Sequence, residues 1–223
     1  MSYDRSVLPA PQLPSLAEAG NEGDSKRSFV SRAGHKLEAA LVAFNIDATG
    51  RVCADLGANV GGFTDCLLRY GAARVYAVDT AYGILAWNLR KDPRVVVRDR
   101  TNALHVRLPE PVSLVAVDVG WTKQAKILPV VAKLLPPFGS DATADVLTLV
   151  KPHYESELAK TQRGVLTPVQ SEEVLWQVMD QILTPPAADN GTPRWALKGI
   201  VQSPLEGQKG NTEYVAWLGL ASA

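Results

Sequence analysis

An α/β fold, a doubly wound and mostly parallel sheet with a C-terminal antiparallel hairpin, is what this 223-residue chain predicts, on three observations. Short apolar runs rich in Val, Leu and Ala alternate with longer segments of helical period. A glycine-rich turn, DLGANVGGFTD at 55–65, follows the first of those runs directly, as in a strand–turn–helix unit. The last two apolar runs are joined by a turn-rich stretch without a helix, which suits antiparallel neighbours.

Residues 1–27 mix Pro, Ser, Gly and charge without a period, so a disordered tail is expected there and one domain over 28–223. Order is expected from SFVSRAGHKLEAALVAF, where Ser31 is placed to cap a helix that carries Leu37, Leu41 and Phe44 at helical spacing. A strand at 51–56 (RVCADL), a helix near 61–70, a strand at 73–79 (ARVYAVD), a helix near 83–90 and a strand at 94–98 (RVVVR) follow. Next come a strand at 113–119 (SLVAVDV), a helix near 123–135, a strand at 145–151 (DVLTLVK) and a helix near 168–183. RWALKGIVQ (194–202) and TEYVAWLGL (212–220), joined by SPLEGQKGN, make the closing hairpin. No internal repeat is visible.

A chain of this length buries roughly 70 to 75% of its unfolded surface, enough for a real core. Its 23 basic residues cancel its 23 acidic ones, so net charge gives no support to nucleic-acid binding. Locally the balance breaks: residues 119–140 carry Lys123, Lys126 and Lys133 with no acid, and residues 26–36 carry Lys26, Arg27, Arg32 and Lys36 with none. Each run is either a basic patch or a solvated helix face. Cys53 and Cys66 are too few for a disulfide framework or a zinc cluster, and as buried thiols they point to a reducing compartment, the cytoplasm. No signal peptide, membrane span or metal site is expected.

Four predicted strands end on a charged residue: Asp55, Asp79, Asp118 and Lys151. Ligands of open α/β sheets bind outside those ends. A phosphate loop needs a lysine after its last glycine, but Phe63 follows Gly62, so a nucleoside triphosphate is excluded. The dinucleotide fingerprint requires a second glycine where this chain has Asn59, so NAD fits poorly. A bare turn flanked by carboxylates suits a ligand with positive charge and ribose hydroxyls, and S-adenosylmethionine has both. Asp79 is placed to accept the ribose hydroxyls, and Asp99 follows the third strand within reach of an adenine edge. The alternative is that the glycines only permit close helix-to-sheet packing.

SRAGHKLEAAL, DLGANVGGFTDCLLRYGAARVYAVD, YGILAWNLRKDPRVVV, RTNA, VSLVAVDV, LVKPHYE and EGQKGNTEY, in this order, resemble the TlyA branch of the FtsJ-like 2′-O-ribose RNA methyltransferases over about residues 28–220. The resemblance implies a Rossmann-like S-adenosylmethionine-dependent methyltransferase fold and ribosomal RNA, free or in a ribosomal subunit, as partner. It further implies a Lys-Asp-Lys-Glu catalytic tetrad, which falls on Lys36, Asp118, Lys151 and Glu213. Asp55, Gly57, Gly61, Gly62, Phe63, Asp79, Asp99 and Asp118 would form the cofactor wall, and Trp121 and Tyr154 could stack on a base or serve as packing. A free lysine, with pKa about 10.4, is neutral in only about one molecule in a few thousand at pH 7. A second lysine and a sulfonium nearby would favour the neutral amine, leaving Lys151 to accept the proton, Lys36 to position the hydroxyl, and the two carboxylates to orient both.

The chain departs from the family in three places: VGWTKQ after Asp118, KPHYE in place of KPQFE, and the insertion PPFGSDATAD. The small RNA-binding domain usual ahead of the methyltransferase does not fit in 27 residues, so how RNA is delivered is left open, an RNA-binding partner protein being one route. Lys36 and Lys151 could instead form ordinary ion pairs with Asp118 and Glu213. A methyltransferase of a small molecule or protein, a catalytically silent RNA- or cofactor-binding module, and a pore-forming haemolysin are the other readings. The last conflicts with the lack of an amphipathic or spanning segment.

Overall fold

In the computed structural model, which describes residues 28–137, 143–184 and 194–221, seven strands form one sheet in the order β3-β2-β1-β4-β5-β7-β6. In chain order these are β1 (Val52–Leu56), β2 (Arg74–Val78), β3 (Val95–Arg98), β4 (Leu114–Val117), β5 (Asp145–Val150), β6 (Trp195–Gln202) and β7 (Tyr214–Leu220). The helices are α1 (Ala33–Ala43), α2 (Gly62–Arg69), α3 (Trp87–Lys91), α4 (Gln124–Ala132), α5 (Pro152–Glu155), α6 (Glu157–Thr161) and α7 (Pro168–Leu183). The first five strands pair in parallel, and β7 runs antiparallel to both β5 and β6. The mostly parallel α/β architecture with its closing hairpin is as the sequence predicts. The expected tail and most of the insertion after Pro137 lie outside the described residues.

Strand residues alternate between two cores. Leu37 and Leu41 of α1, Cys66 and Leu67 of α2 and Leu89 of α3 pack with Cys53, Val75 and Leu149 on one face. Ile127 and Leu128 of α4 and Leu175 and Met179 of α7 pack with Ala54, Val115 and Val146 on the other. A parallel sheet buried on both faces needs apolar residues at every strand position, which is why its strands read as continuous apolar runs. Both cysteines are buried free thiols.

Three local expectations change. Ser31 does not cap α1, because Arg32 already has helical dihedrals (φ −58°, ψ −23°) and no side chain caps the helix. The Ser31 backbone carbonyl instead accepts from Gly34 N at 3.2 Å. The helix expected near 83–90 begins only at Trp87: Asp79 Oδ1 accepts the Ala81 N–H at 2.8 Å and Gly83 takes φ +75°, and the backbone stays irregular over 81–86. The short α5 and α6 are absent from the sequence reading, since four or five residues carry too little period to detect.

Candidate active site

The strand order reverses between β1 and β4, and a cavity of about 400 Å³ opens beyond their carboxyl ends. Gly57 follows β1 at φ +92°, and a Cβ there would run into the backbone carbonyl of Asp118 after β4. Only glycine satisfies both the dihedral and the approach. Gly61 is the left-handed N-cap of α2, and Gly62 lies so close to α1 that an added Cβ would meet the Ser31 hydroxyl. The packing role that the sequence left open is therefore real at all three glycines, alongside any ligand role.

The cavity wall includes Gly57, Gly62, Phe63, Asp79, Asp118 and Lys151 of the expected residues, together with Trp121 and Tyr154. Asp79 accepts backbone N–H groups from Asn59 and Ala81, each at 2.8 Å, and each carboxylate oxygen retains a lone pair for a further donor. Val78, Ala103, Leu104 and Ile127 give the wall an apolar side.

Gly61, Asp55 and Asp99 do not line the cavity. Gly61 faces Leu85 and Leu89. Asp55 is fully buried, with Oδ2 accepting from Thr64 Oγ1 at 2.6 Å and Oδ1 lacking a hydrogen-bond partner. Burial pushes its carboxyl up to about 7, opposed by the Thr64 hydrogen bond and assisted by the charges of Asp118 and Asp79. Asp99 is ion-paired with Arg90 and accepts from Gly83 N, and the Arg90 hydrogen bond holds its carboxyl below the usual range. The reach of a long arginine from α3 cannot be read from the order of residues.

The four tetrad positions come together as two ion pairs at one rim. Lys151 pairs with Asp118 across neighbouring strands, and Lys36 Nζ lies 2.5 Å from Glu213 Oε2. The register sets the second pair beside the first: Val150 of β5 faces Tyr214 of β7, so the residues just beyond, Lys151 and Glu213, flank the same end of the sheet. All four side chains are at most 19% exposed, and Glu213 is 3% exposed. Only Glu213 is fully buried, so solvent compensates part of the charge left by deleting one partner, and the cost falls below the about 3–5 kcal/mol of a wholly buried pair.

Asn211 and His153 build this rim without a sequence signal of their own, beside the Trp121 and Tyr154 that the sequence singles out. Asn211 is buried; its Oδ1 accepts from Leu166 N at 3.0 Å, and its Nδ2 donates to the carbonyls of Gly164 (2.8 Å) and Gln208 (2.9 Å). His153 tilts against Tyr154 with ring centroids 4.2 Å apart. Burial, then the charges of Lys151, Lys36 and Lys209, push its imidazole down to about 4, so it is neutral at pH 7. Trp121, 82% exposed and at φ +59°, stacks on Tyr154 at 4.5 Å. Left-handed backbone at a bulky residue costs about 1–3 kcal/mol and collects at functional sites.

Among the described residues no group of His, Cys, Asp or Glu could hold a metal ion, and no helix is long and apolar enough to cross a membrane. The 16S/23S rRNA (cytidine-2′-O)-methyltransferase TlyA of Mycobacterium tuberculosis is 42% identical over 217 residues, which span 96% of this chain and 76% of that protein. Hemolysin A of Brachyspira hyodysenteriae is 35% identical over 197 residues, spanning 84% of this chain and 75% of that one. A solved structure from Streptococcus thermophilus superposes with a TM-score of 0.77 at 33% identity, covering 90% of this chain and 70% of the other. A family profile described as FtsJ-like methyltransferase matches residues 29–220. A match over that span, with identity of this order to several proteins, shows that the chain belongs to the FtsJ-like methyltransferase family.

Proposed function

We propose that this protein methylates a ribose 2′-hydroxyl of ribosomal RNA in the cytoplasm, with S-adenosylmethionine as donor and Lys36, Asp118, Lys151 and Glu213 as its catalytic set. The observation that carries the reading is the meeting of two partly buried Lys–carboxylate pairs at the rim of a cavity whose wall includes one of them. The identity to an rRNA 2′-O-methyltransferase supports the substrate class.

The residues present fit the donor. Asp79 can still accept from two ribose hydroxyls, and the apolar wall at Ala103 and Leu104 suits a purine face. When bound, S-adenosylmethionine would supply an electrophilic methyl group, the new carbon–oxygen bond replacing the carbon–sulfur bond, whose electron pair would stay on sulfur. A ribose hydroxyl is a weak nucleophile and must lose its proton as it reacts. Lys151 Nζ is the group that takes that proton, Asp118 fixes the amine, and Lys36, held by Glu213, orients the hydroxyl. The exposed Trp121–Tyr154 stack offers a ring face to the base of the target nucleotide.

The test incubates the protein with methyl-labelled S-adenosylmethionine and either ribosomal subunits or naked ribosomal RNA, and maps any methylated ribose. Wild type is expected to label RNA, while Lys36→Ala and Lys151→Ala lose transfer and keep donor binding. Lys36→Arg separates charge from chemistry, since it retains the partner of Glu213. Equal labelling by both alanine variants would remove the tetrad from the mechanism, and label on protein or small molecules alone would remove RNA.

A further inference from the structure

A second cavity, of about 600 Å³, lies between residues 104–111 and the C-terminal turn of α4. It adjoins the first, because Leu104 lines both. Leu108, Val130 and Leu134 give part of its floor an apolar character, and the Val112 N–H, bonded to the Leu134 carbonyl at 2.9 Å, ties the two walls together. Arg107 and Lys133 stand exposed on opposite walls.

The charge is one-sided for a reason visible in the sequence. Residues 100–109 carry Arg100, His105 and Arg107 without an acid, and the acid-free run 119–140 supplies the other wall. The one lining carboxylate, Glu110, is already taken by Arg74 Nη1 at 2.5 Å and Tyr76 Oη at 2.7 Å, and these bonds hold its carboxyl below the usual range. A cavity of this size with cations on both lips and an apolar floor fits a polyanion that also carries flat apolar groups.

We infer that this groove is a second RNA contact, which seats an unpaired nucleotide of the same RNA, its base on the apolar floor and its flanking phosphates on Arg107 and Lys133. This rests on the RNA reading above. It supplies recruitment that net charge does not, because two phosphate contacts on the scaffold add to the contacts made with the target nucleotide at the first cavity.

The test measures binding of naked ribosomal RNA over a range of salt concentrations to wild type, Arg107→Glu, Lys133→Glu, their double variant, and Lys126→Glu. Lys126 lies on the same helix but outside the groove lining, so its variant reports the general effect of a charge change. Each groove variant is expected to weaken RNA binding about tenfold, and the double variant to lower the slope of log affinity against log salt by about 1.4, two contacts at about 0.7 each. S-adenosylmethionine binding stays unchanged in all of them, which shows intact folds. Groove variants that bind RNA like wild type, or a Lys126→Glu variant as impaired as they are, overturn the inference. So does polyglutamate that binds wild type and not the double variant, which would assign the groove to an acidic peptide. A wild type that binds no RNA overturns the RNA reading itself, whereas normal wild-type methylation with unaffected groove variants overturns only the groove.

Discussion

Asp55 and Asp118 are carboxylates at the ends of neighbouring strands, yet burial gives them different chemistry. Asp118 meets Lys151 at the cavity wall, whereas Asp55 has one oxygen on Thr64, the other without a partner, and no exposure to solvent. Its folded pKa of about 7 lies above the unfolded value near 3.8, so the folded state holds an extra proton between those limits. The stabilisation is therefore complete below about pH 4 and is lost as pH rises through 7, on the order of 4 kcal/mol in all. Asp55→Asn stays neutral and can still accept from Thr64. Its stability relative to wild type, from urea unfolding at pH 4 and pH 8, is expected to rise by that order at the higher pH. An equal pH dependence of the two proteins would show that Asp55 titrates normally.

At the scale of elements, the segment between β6 and β7 decides where Glu213 sits. Asn211 clamps it to the turn before α7, and Gly207 passes so close to Glu213 that an added Cβ would overlap the carboxylate. The Gly207 backbone (φ −75°, ψ −165°) suits alanine, so Gly207→Ala acts only through that overlap. Methyl transfer to RNA is expected to fall on the order of 10- to 100-fold, the cost of misplacing a reacting group by about an ångström. Donor binding should persist, and unaltered turnover would mean that the position of Glu213 is not critical. The residues alone single out Asp118 and Lys151, since strand ends are readable from apolar runs. Lys36 and Glu213 are anonymous there, one within an apolar helix and one after a turn, and only the resemblance to a family marks them. Asp99 shows the converse: its place after a strand is legible, but its pairing with Arg90 is not.

Across the whole molecule, β7 is the strand on which sheet and site both depend. It lies between β5 and β6, and Val215, Ala216 and Leu218 are almost wholly buried. Ending the chain at Asn211 would remove Glu213 and strip β5 and β6 of their shared neighbour. Loss of a cooperative thermal transition is expected, read by circular dichroism, and a transition close to that of wild type would show β7 to be dispensable. By itself the sequence determined the alternation of strands and helices, the hairpin, the glycine turn and the strand-end charges, because these follow from local period and turn chemistry. Only the tertiary structure decided that the last strand inserts inside the sheet, that Asp55 is sealed while Asp79 faces the cavity, and that Lys36 meets Glu213 across 177 positions. Those outcomes depend on register and burial, set by packing between segments far apart in the chain, which no local pattern encodes.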